Sequence, residues 1–336
     1  MVKGLERYEA INREEALAKF QIAKRIGAEE AETLESLDEM LKIHSKLKRE
    51  FKKILQSGEV PEESPQYSFL HLKKDILYEM LKNCNFCERR CDVNRYEKKG
   101  FCKCGVTSYF SSEFLHVGEE PELIPSHTIF FNRCTFACVF CQNYDIVYED
   151  DYIVDPKELA YIIDVRRRQG SKNVNFVGGN PDQHAHTIAE ILVHVESNVP
   201  VVWNSNMYHS KELGEIIEDF VDVWLGDFKY GNNECAKKYS KVPNYWEVVT
   251  RNFLKSRDNG ELLIRHLVMP NHIDCCTERI VKWVAENLGM ETRFNLMFQY
   301  YPTFKAWEYP EIARRLTPEE MKRATEIAEK YLTNLV

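Results

Sequence analysis

From residue 128 to the C-terminus the chain alternates short apolar runs with longer amphipathic ones, and this alternation limits the folds open to it. Runs at 128–131, 173–177, 199–203, 223–226, 262–268 and 293–298 read as buried strands: they are short, rich in β-branched and aromatic residues, and bounded by polar or turn-forming residues. Between them the spacing predicts helices from 156 to about 169, about 183 to 196, about 211 to 220, about 245 to 257, and 277 to 288. Asp155-Pro156-Lys157-Glu158 supplies an N-cap, a proline at the first helical position and a capping-box acid. Thr317-Pro318-Glu319-Glu320 repeats the device for a last helix, and Gly289 stops the one before it. Six strand–helix units in succession imply a parallel sheet with right-handed crossovers. The pattern alone leaves both a doubly wound sheet and a barrel open.

Directly after the first of these strands comes Arg133-Cys134-Thr135-Phe136-Ala137-Cys138-Val139-Phe140-Cys141-Gln142-Asn143. The spacing C-x3-C-x2-C lets one tight loop aim three sulfurs at one point, with no fourth cysteine beside them. Structural zinc and ferredoxin-type clusters close their coordination with four protein ligands, so a site one ligand short keeps a position open for something that reacts or exchanges. The competing reading, buried cysteines acting as small hydrophobes, suits isolated residues better than three in one loop.

A second group lies upstream: Cys84-Asn85-Phe86-Cys87-Glu88-Arg89-Arg90-Cys91, followed by Gly100-Phe101-Cys102-Lys103-Cys104. Here Cys84, Cys87, Cys91 and Cys102 close a four-sulfur site, with Cys104 as a spare or a substitute for Cys102. Zinc or a second iron–sulfur cluster would satisfy it. The segment has few apolar residues, so a metal would fold it. Ahead of it, residues from about 5 to 56 read as helical, with Leu34, Leu37, Leu41, His44, Leu47, Phe51 and Ile54 forming one apolar stripe. Gly58 to Pro65 is a breaker-rich linker, and a further helix runs from 69 to about 81.

Composition excludes several classes. At 336 residues with 44% hydrophobic and 29% charged content the chain has the make-up of a soluble globular protein. It has no apolar run of membrane-crossing length, and Met1-Val2-Lys3-Gly4-Leu5-Glu6 lacks the apolar core of an export signal. A cytoplasmic location is the expectation. There, eleven cysteines argue for metal or redox chemistry rather than disulfides. A formal net charge of -8 disfavours nucleic-acid binding driven by phosphate neutralisation, although 46–53 carries a local run of lysines and arginine.

The three-cysteine loop after a strand, with Phe140 before the last cysteine, resembles the cluster loop of the radical S-adenosylmethionine superfamily. The resemblance implies that Cys134, Cys138 and Cys141 hold three irons of a 4Fe-4S cluster, and that the amino and carboxylate groups of S-adenosyl-L-methionine chelate the fourth. It also selects the barrel: an α/β chain with a partial (β/α)6 barrel at 126–336, an N-terminal helical region at 1–66, and a helix plus cysteine-rich metal-binding segment at 67–125. The resemblance extends from about residue 84 to 268, more loosely beyond. Within it, His116-Val117-Gly118-Glu119-Glu120-Pro121 resembles a segment of the group related to pyruvate formate-lyase activating enzyme, whose members also carry an extra N-terminal cysteine cluster.

Working residues of parallel barrels sit at the C-terminal ends of strands. Gly178-Gly179-Asn180-Pro181 lets a ligand approach the backbone closely; it resembles the superfamily's glycine-rich motif for the amino group of S-adenosylmethionine, with Asn180 where an acidic residue is common. Ser205, between Asn204 and Asn206, is suited to hydrogen-bonding a ribose or carboxylate. Asp227 and Lys229, two apart on a strand, point to one side; they look like the Asp-x-Lys motif of the activating enzymes, where the pair contacts the cofactor. Arg265 stands in an apolar strand and needs a partner, either a bound carboxylate or an internal salt bridge; the family's arginine meets the cofactor. Gln299-Tyr300 departs from the family's polar, often histidine-containing stretch.

The implied activity is reductive cleavage of S-adenosylmethionine to a 5'-deoxyadenosyl radical that abstracts hydrogen from a substrate, with a flavodoxin or ferredoxin as low-potential donor. The substrate would be a protein of the glycyl-radical kind, or alternatively a small molecule or nucleotide. A reading of another class is a non-catalytic metal-binding protein in which both cysteine groups are structural.

Overall fold

The structure, a computed structural model, describes residues 4–336, so Met1, Val2 and Lys3 at the polar start of the chain lie outside the described residues. The N-terminal region forms three helices, α1 (Glu6–Asn12), α2 (Lys19–Ala23) and α3 (Leu37–Ser57). The expected helical span from 5 to 56 is thus broken. Glu14 turns the chain with a left-handed φ of 57°, which lets Phe20, Ile22 and Ile26 enter the core. In α3 the stripe is as expected: His44, Leu47 and Phe51 are buried, and Leu34, Leu37, Leu41 and Ile54 pack beside them. Gly58 ends it with φ 75°, its N–H bonded to the Ile54 carbonyl at 2.8 Å. Helix α4 (Phe69–Met80) follows, opened by a reciprocal cap between Ser68 and His71.

Strand β1 (Tyr109–His116) lies inside the cysteine-rich region and was not expected. It precedes β2 (Ser126–Phe131), α5 (Tyr144–Tyr148), the two-residue β3 (Tyr152–Ile153) and α6 (Pro156–Arg168). The Asp155 side chain caps α6 by accepting from the N–H groups of Lys157 and Glu158. The three arginines that end α6 complement its dipole. The chain continues through β4 (Asn173–Gly178), α7 (Ala185–His194), β5 (Val201–Ser205), α8 (Lys211–Ile217), β6 (Val223–Asp227), α9 (Asn233–Ser240) and α10 (Tyr245–Asn259). It ends with β7 (Glu261–Leu267), α11 (Arg279–Asn287), β8 (Arg293–Met297) and α12 (Pro318–Tyr331).

The eight strands form one sheet in the order β3-β1-β2-β4-β5-β6-β7-β8. β1 runs antiparallel to both β2 and β3; from β2 to β8 every pairing is parallel. The parallel strands stand side by side in chain order, so each crossover moves the same way across the sheet. A doubly wound sheet reverses direction at a switch point and this one does not. The arrangement is the partial (β/α)6 barrel, extended by an antiparallel edge. β4, β5 and β6 are buried along nearly their whole length, as expected of strands covered on both faces. The N-terminal helices share one apolar core with the barrel helices, and polar ties reinforce the contact. Lys73 Nζ lies 2.7 Å from Asp219 Oδ2 and 2.8 Å from His44 Nε2, while Glu261 accepts from the N–H groups of Arg7 and Tyr8 at 2.6 and 2.8 Å.

The register brings the functional ends level. Phe131 stands opposite Gly178, Ser205 opposite Gly226, and Asp227 opposite Arg265. The loop after β2 therefore leaves the sheet at the height where the other strands end.

Candidate functional site

One cavity of about 260 Å3 lies at this end of the sheet. Its walls include Cys134, Cys138 and Cys141 together with Gly178, Gly179, Asn180, Ser205, Asp227, Lys229 and Arg265. The three loop cysteines and the strand-end residues Gly178, Gly179, Asn180, Ser205, Asp227, Lys229 and Arg265 are thus in one place, whereas Gln299 and Tyr300 do not line the cavity. The loop is held from several sides. The Ala137 and Val139 N–H groups donate to the Ser240 and Tyr239 carbonyls at 3.0 and 2.8 Å, and Cys138 Sγ lies 2.9 Å from Ser240 Oγ. Asn206 Nδ2 donates to Thr135 Oγ1 at 2.9 Å and lies 3.8 Å from Cys134 Sγ.

The glycines serve this seating directly. A Cβ on Gly178, whose φ is +103°, would stand 2.1 Å from the Phe131 carbonyl oxygen, and one on Gly179 would stand 1.7 Å from that of Arg133. Both positions must be glycine for the end of β4 to meet the base of the cysteine loop. They also leave bare backbone in the cavity wall.

The three polar residues after β5 divide the work. Ser205 Oγ accepts from the Met207 N–H at 3.0 Å, and Asn206 Oδ1 accepts from that of Tyr208 at 3.1 Å. Asn180 Oδ1 accepts from the Asn206 N–H at 3.0 Å, tying the ends of β4 and β5 together. Asn204 differs: its Nδ2 is buried with no hydrogen-bond partner among the described residues. A buried amide left unpaired costs on the order of 1–3 kcal/mol, and the residue that carries this one belongs to the cavity wall. Three thiols on one wall with no fourth beside them, next to the bare backbone of Gly178 and Gly179, fit an open-sited cluster and a cofactor lying against it.

The charges are arranged to match. Lys229 Nζ is 2.6 Å from Asp227 Oδ2. Burial lowers the lysine's pKa, but Asp227 and the neighbouring thiols outweigh it and hold the group above the usual value. Burial pushes all three thiols up, Cys141 to about 12. Lys229 opposes the rise at each, as a cation placed to favour thiolates must. Arg265 takes the internal salt bridge rather than waiting for a ligand: its guanidinium pairs with Glu119, and with Glu120 at 2.6 and 2.7 Å. Asn295 Nδ2 donates to Glu120 at 2.8 Å, and Asn175 Nδ2 to Glu119 at 3.3 Å. Side chains from β4, β7 and β8 thus converge on the Glu119–Glu120 segment, which fills the inside of the curved sheet. The sequence marked this segment without giving it a role; the available signal was Arg265, a charged residue in an apolar strand that needs a partner.

The upstream cysteines also come together. Cys84, Cys87, Cys91 and Cys102 line a hollow of about 20 Å3 with Phe101, Arg95 and Thr135. Cys104 is outside it, its Sγ directed at the Cys102 carbonyl at 3.7 Å. The tight turns use left-handed residues, Arg90 and Asp92, and the Phe101 N–H points at Cys91 Sγ at 3.5 Å. Arg95 is fully buried, and its guanidinium donates to the carbonyls of Gly105 and Gln183. No carboxylate pairs with it among the described residues; the nearby charges are Cys104, Cys102 and Cys84. A buried cation without a carboxylate suits a thiolate-bound metal, whose net charge is negative. Thr135 and the Gln183–Arg133 bond of 2.9 Å link this hollow to the loop of Cys134.

The description of the radical SAM superfamily matches residues 128–284. The protein described as uncharacterized protein MJ0674 of Methanocaldococcus jannaschii is 50% identical over 344 residues, spanning 99% of each chain. Among solved structures, Streptococcus suis SuiB bound to S-adenosylmethionine is similar with 16% identity and a TM-score of 0.45, over 60% of this chain and 47% of that one. A domain of pyruvate-formate lyase-activating enzyme from Bacteroides vulgatus is similar with 13% identity and a TM-score of 0.33, over 54% and 89%. This chain spans about half the length of SuiB. No helix among the described residues is long and apolar enough to cross a membrane.

Proposed function

The chain belongs to the radical S-adenosylmethionine superfamily of enzymes, and from that premise we propose that Cys134, Cys138 and Cys141 hold the 4Fe-4S cluster and that the adjoining cavity takes S-adenosylmethionine. When bound, cluster and cofactor supply one-electron reductive cleavage to a 5'-deoxyadenosyl radical that abstracts a hydrogen atom from substrate. The observation that carries this reading is the shared cavity: three buried thiols on one wall, and the ends of the parallel strands on the others. The protein's own part is to bind, orient and exclude water. Lys229, held by Asp227, balances the charge of the thiolates. Asn204 and the backbone beside Gly178 and Gly179 would form the wall that the cofactor lies against. Arg265 acts from behind, as the buried partner of Glu119 and Glu120 that fixes the shape of the floor.

For the upstream group we propose a second metal site, zinc or an auxiliary iron–sulfur cluster, on Cys84, Cys87, Cys91 and Cys102, supported by the hollow that the four cysteines line together. For the substrate we propose a polypeptide of the glycyl-radical kind. Tyr144, Tyr148, Tyr152 and Trp307 are exposed on the same end of the sheet as the cavity, and aromatic residues of this sort are enriched in protein interfaces. A flavodoxin or ferredoxin would deliver the electron.

The test is Cys138→Ala in the reconstituted enzyme with a strong reductant. Cleavage of S-adenosylmethionine should fall to background while the upstream four-cysteine group stays metallated. Retained cleavage would remove the loop from the reaction. If cleavage in the unaltered enzyme is stimulated by small molecules or nucleotides and not by a polypeptide bearing a glycyl-radical sequence, the substrate assignment fails and the cofactor assignment stands.

A further inference from the structure

Four ligand-type side chains outside both cysteine groups meet behind the ends of β6 and β7. Cys235 comes from the first turn of α9. His272, Cys275 and Cys276 come from the turn after β7 and the π-helical stretch Ile273–Glu278 that follows. One donor atom each of Cys235, His272 and Cys275 lies within 4.8 Å of the other two. Cys276 Sγ is 3.8 Å from Cys275 Sγ. A regular tetrahedron with metal–sulfur bonds of about 2.3 Å has edges of about 3.8 Å, so this separation is that of two ligands on one zinc.

The surroundings prepare the donors. His272 Nδ1 is 2.6 Å from the Pro270 carbonyl. A carbonyl only accepts, so Nδ1 carries the hydrogen and Nε2 keeps its lone pair, the arrangement in which metal-bound histidines are held. Asn232 ties the two halves together: its Oδ1 accepts from the Cys235 N–H at 2.8 Å, while its Nδ2 donates to the Cys275 carbonyl at 3.0 Å and lies 3.9 Å from Cys276 Sγ. The π-helical turn, with the Thr277 N–H bonded to the His272 carbonyl at 3.2 Å, carries both cysteines directly after the histidine. Gly231 allows the segments to touch, since a Cβ there would stand 2.6 Å from the Cys275 carbonyl oxygen. Cys235 and Cys275 are partly exposed, which gives an ion a route in; His272 and Cys276 are buried.

We propose that Cys235, His272 and Cys275 form a separate site for one thiophilic divalent cation, zinc by its donor set, with the adjacent Cys276 sulfur at hand as a fourth ligand. Binding exchanges the thiol protons for the ion, with no change of oxidation state. The site fastens the first turn of α9 to the π-helical stretch. The last residues of α9, Tyr239 and Ser240, support the backbone of the cysteine loop and the Cys138 sulfur. One helix therefore links the ion to the loop. The proposal does not rest on the function proposed above.

The test is zinc per chain in the full-length protein, purified under reductant and loaded with zinc, then repeated with cobalt. Cys235→Ser and His272→Gln should each lose one equivalent relative to the unaltered protein. Cys84→Ser, which alters the separate upstream cysteine group, should keep this ion. The cobalt spectrum of the unaltered protein minus that of either variant should show the visible bands of a tetrahedral thiolate site. If Cys235→Ser does not fold, His272→Gln alone decides, because it leaves all the sulfurs in place. Equal zinc in the unaltered protein and His272→Gln would overturn the site. So would a disulfide among Cys235, Cys275 and Cys276 in protein kept reduced throughout.

Discussion

At the scale of single residues, Asn204 and Asp227 are the side chains whose removal most cleanly separates cofactor binding from cluster binding, because neither carries sulfur. Asn204→Ala removes a polar side chain from the cavity wall, and a hydrogen bond to a charged group contributes on the order of 1.5–3 kcal/mol. S-adenosylmethionine affinity, measured by anaerobic calorimetry, should fall at least tenfold in this variant and in Asp227→Ala, with iron content unchanged. Unaltered affinity would exclude these residues from the binding site. Asp182 gives a second residue-level prediction, in pH. Burial pushes its carboxyl from 3.8 up to about 6, against hydrogen bonds from Asn180 and from Trp203 at 2.9 Å. A carboxyl with a raised folded-state pKa is protonated in the folded chain where it is ionised in the unfolded one, so its contribution to stability is present below pH 3.8 and is lost as pH rises to about 6. Asp182→Asn keeps an acceptor for Trp203 and cannot ionise. The stability difference between the two proteins should therefore move toward the variant by up to about 3 kcal/mol over that window. A difference that stays flat in denaturant titrations across it would contradict the burial argument.

At the scale of elements, the ion pairs between β7 and the segment after β1 decide how the sheet curves. Glu120 is buried, and its pairing with Arg265 and Asn295 holds the carboxyl below its usual pKa although burial works the other way. Glu120→Ala should lower the unfolding free energy by about 3 kcal/mol, the cost of partly stripping a buried charge, read from urea unfolding; a change within 0.5 kcal/mol, about what a surface substitution gives, would show the pair to be dispensable. This network was only half legible in the sequence. Arg265 announced the need for a partner, but the partner is 145 residues away along the chain, and no local pattern reports such a pairing. The six parallel strands were legible because each is a short apolar run between polar residues. β1 was not, since Tyr109–His116 is only partly buried and mixes serines and a glutamate with its aromatics. Nor was α9, which is short and mostly polar. The helix expected from 277 begins at Arg279, behind the π-helical turn that the third cysteine group uses. That group spans 37 residues between Cys235 and His272, a spacing that matches no short metal motif.

At the scale of the whole molecule, the sheet brings into one volume a cysteine loop from its first parallel strand and polar residues from the other strand ends, while the upstream cysteine group sits against the back of that loop through Thr135 and Gln183. Helices α2 and α3 pack on the barrel helices, while Leu5 and Tyr8 of the first helical segment pack against Val202, Val223, Leu225 and Leu263 of the strands, and none of them lines the cavity. The account therefore turns on one claim, that the open position beside Cys134, Cys138 and Cys141 is filled by S-adenosylmethionine on iron. The measurement that tests it most directly is electron paramagnetic resonance of the reduced, reconstituted protein with and without S-adenosylmethionine, alongside iron, sulfide and zinc analysis. At least about four irons per chain and a reduced-cluster signal whose shape changes on adding the cofactor are expected. A protein that takes up zinc but no iron, or a cluster signal indifferent to the cofactor, would contradict it.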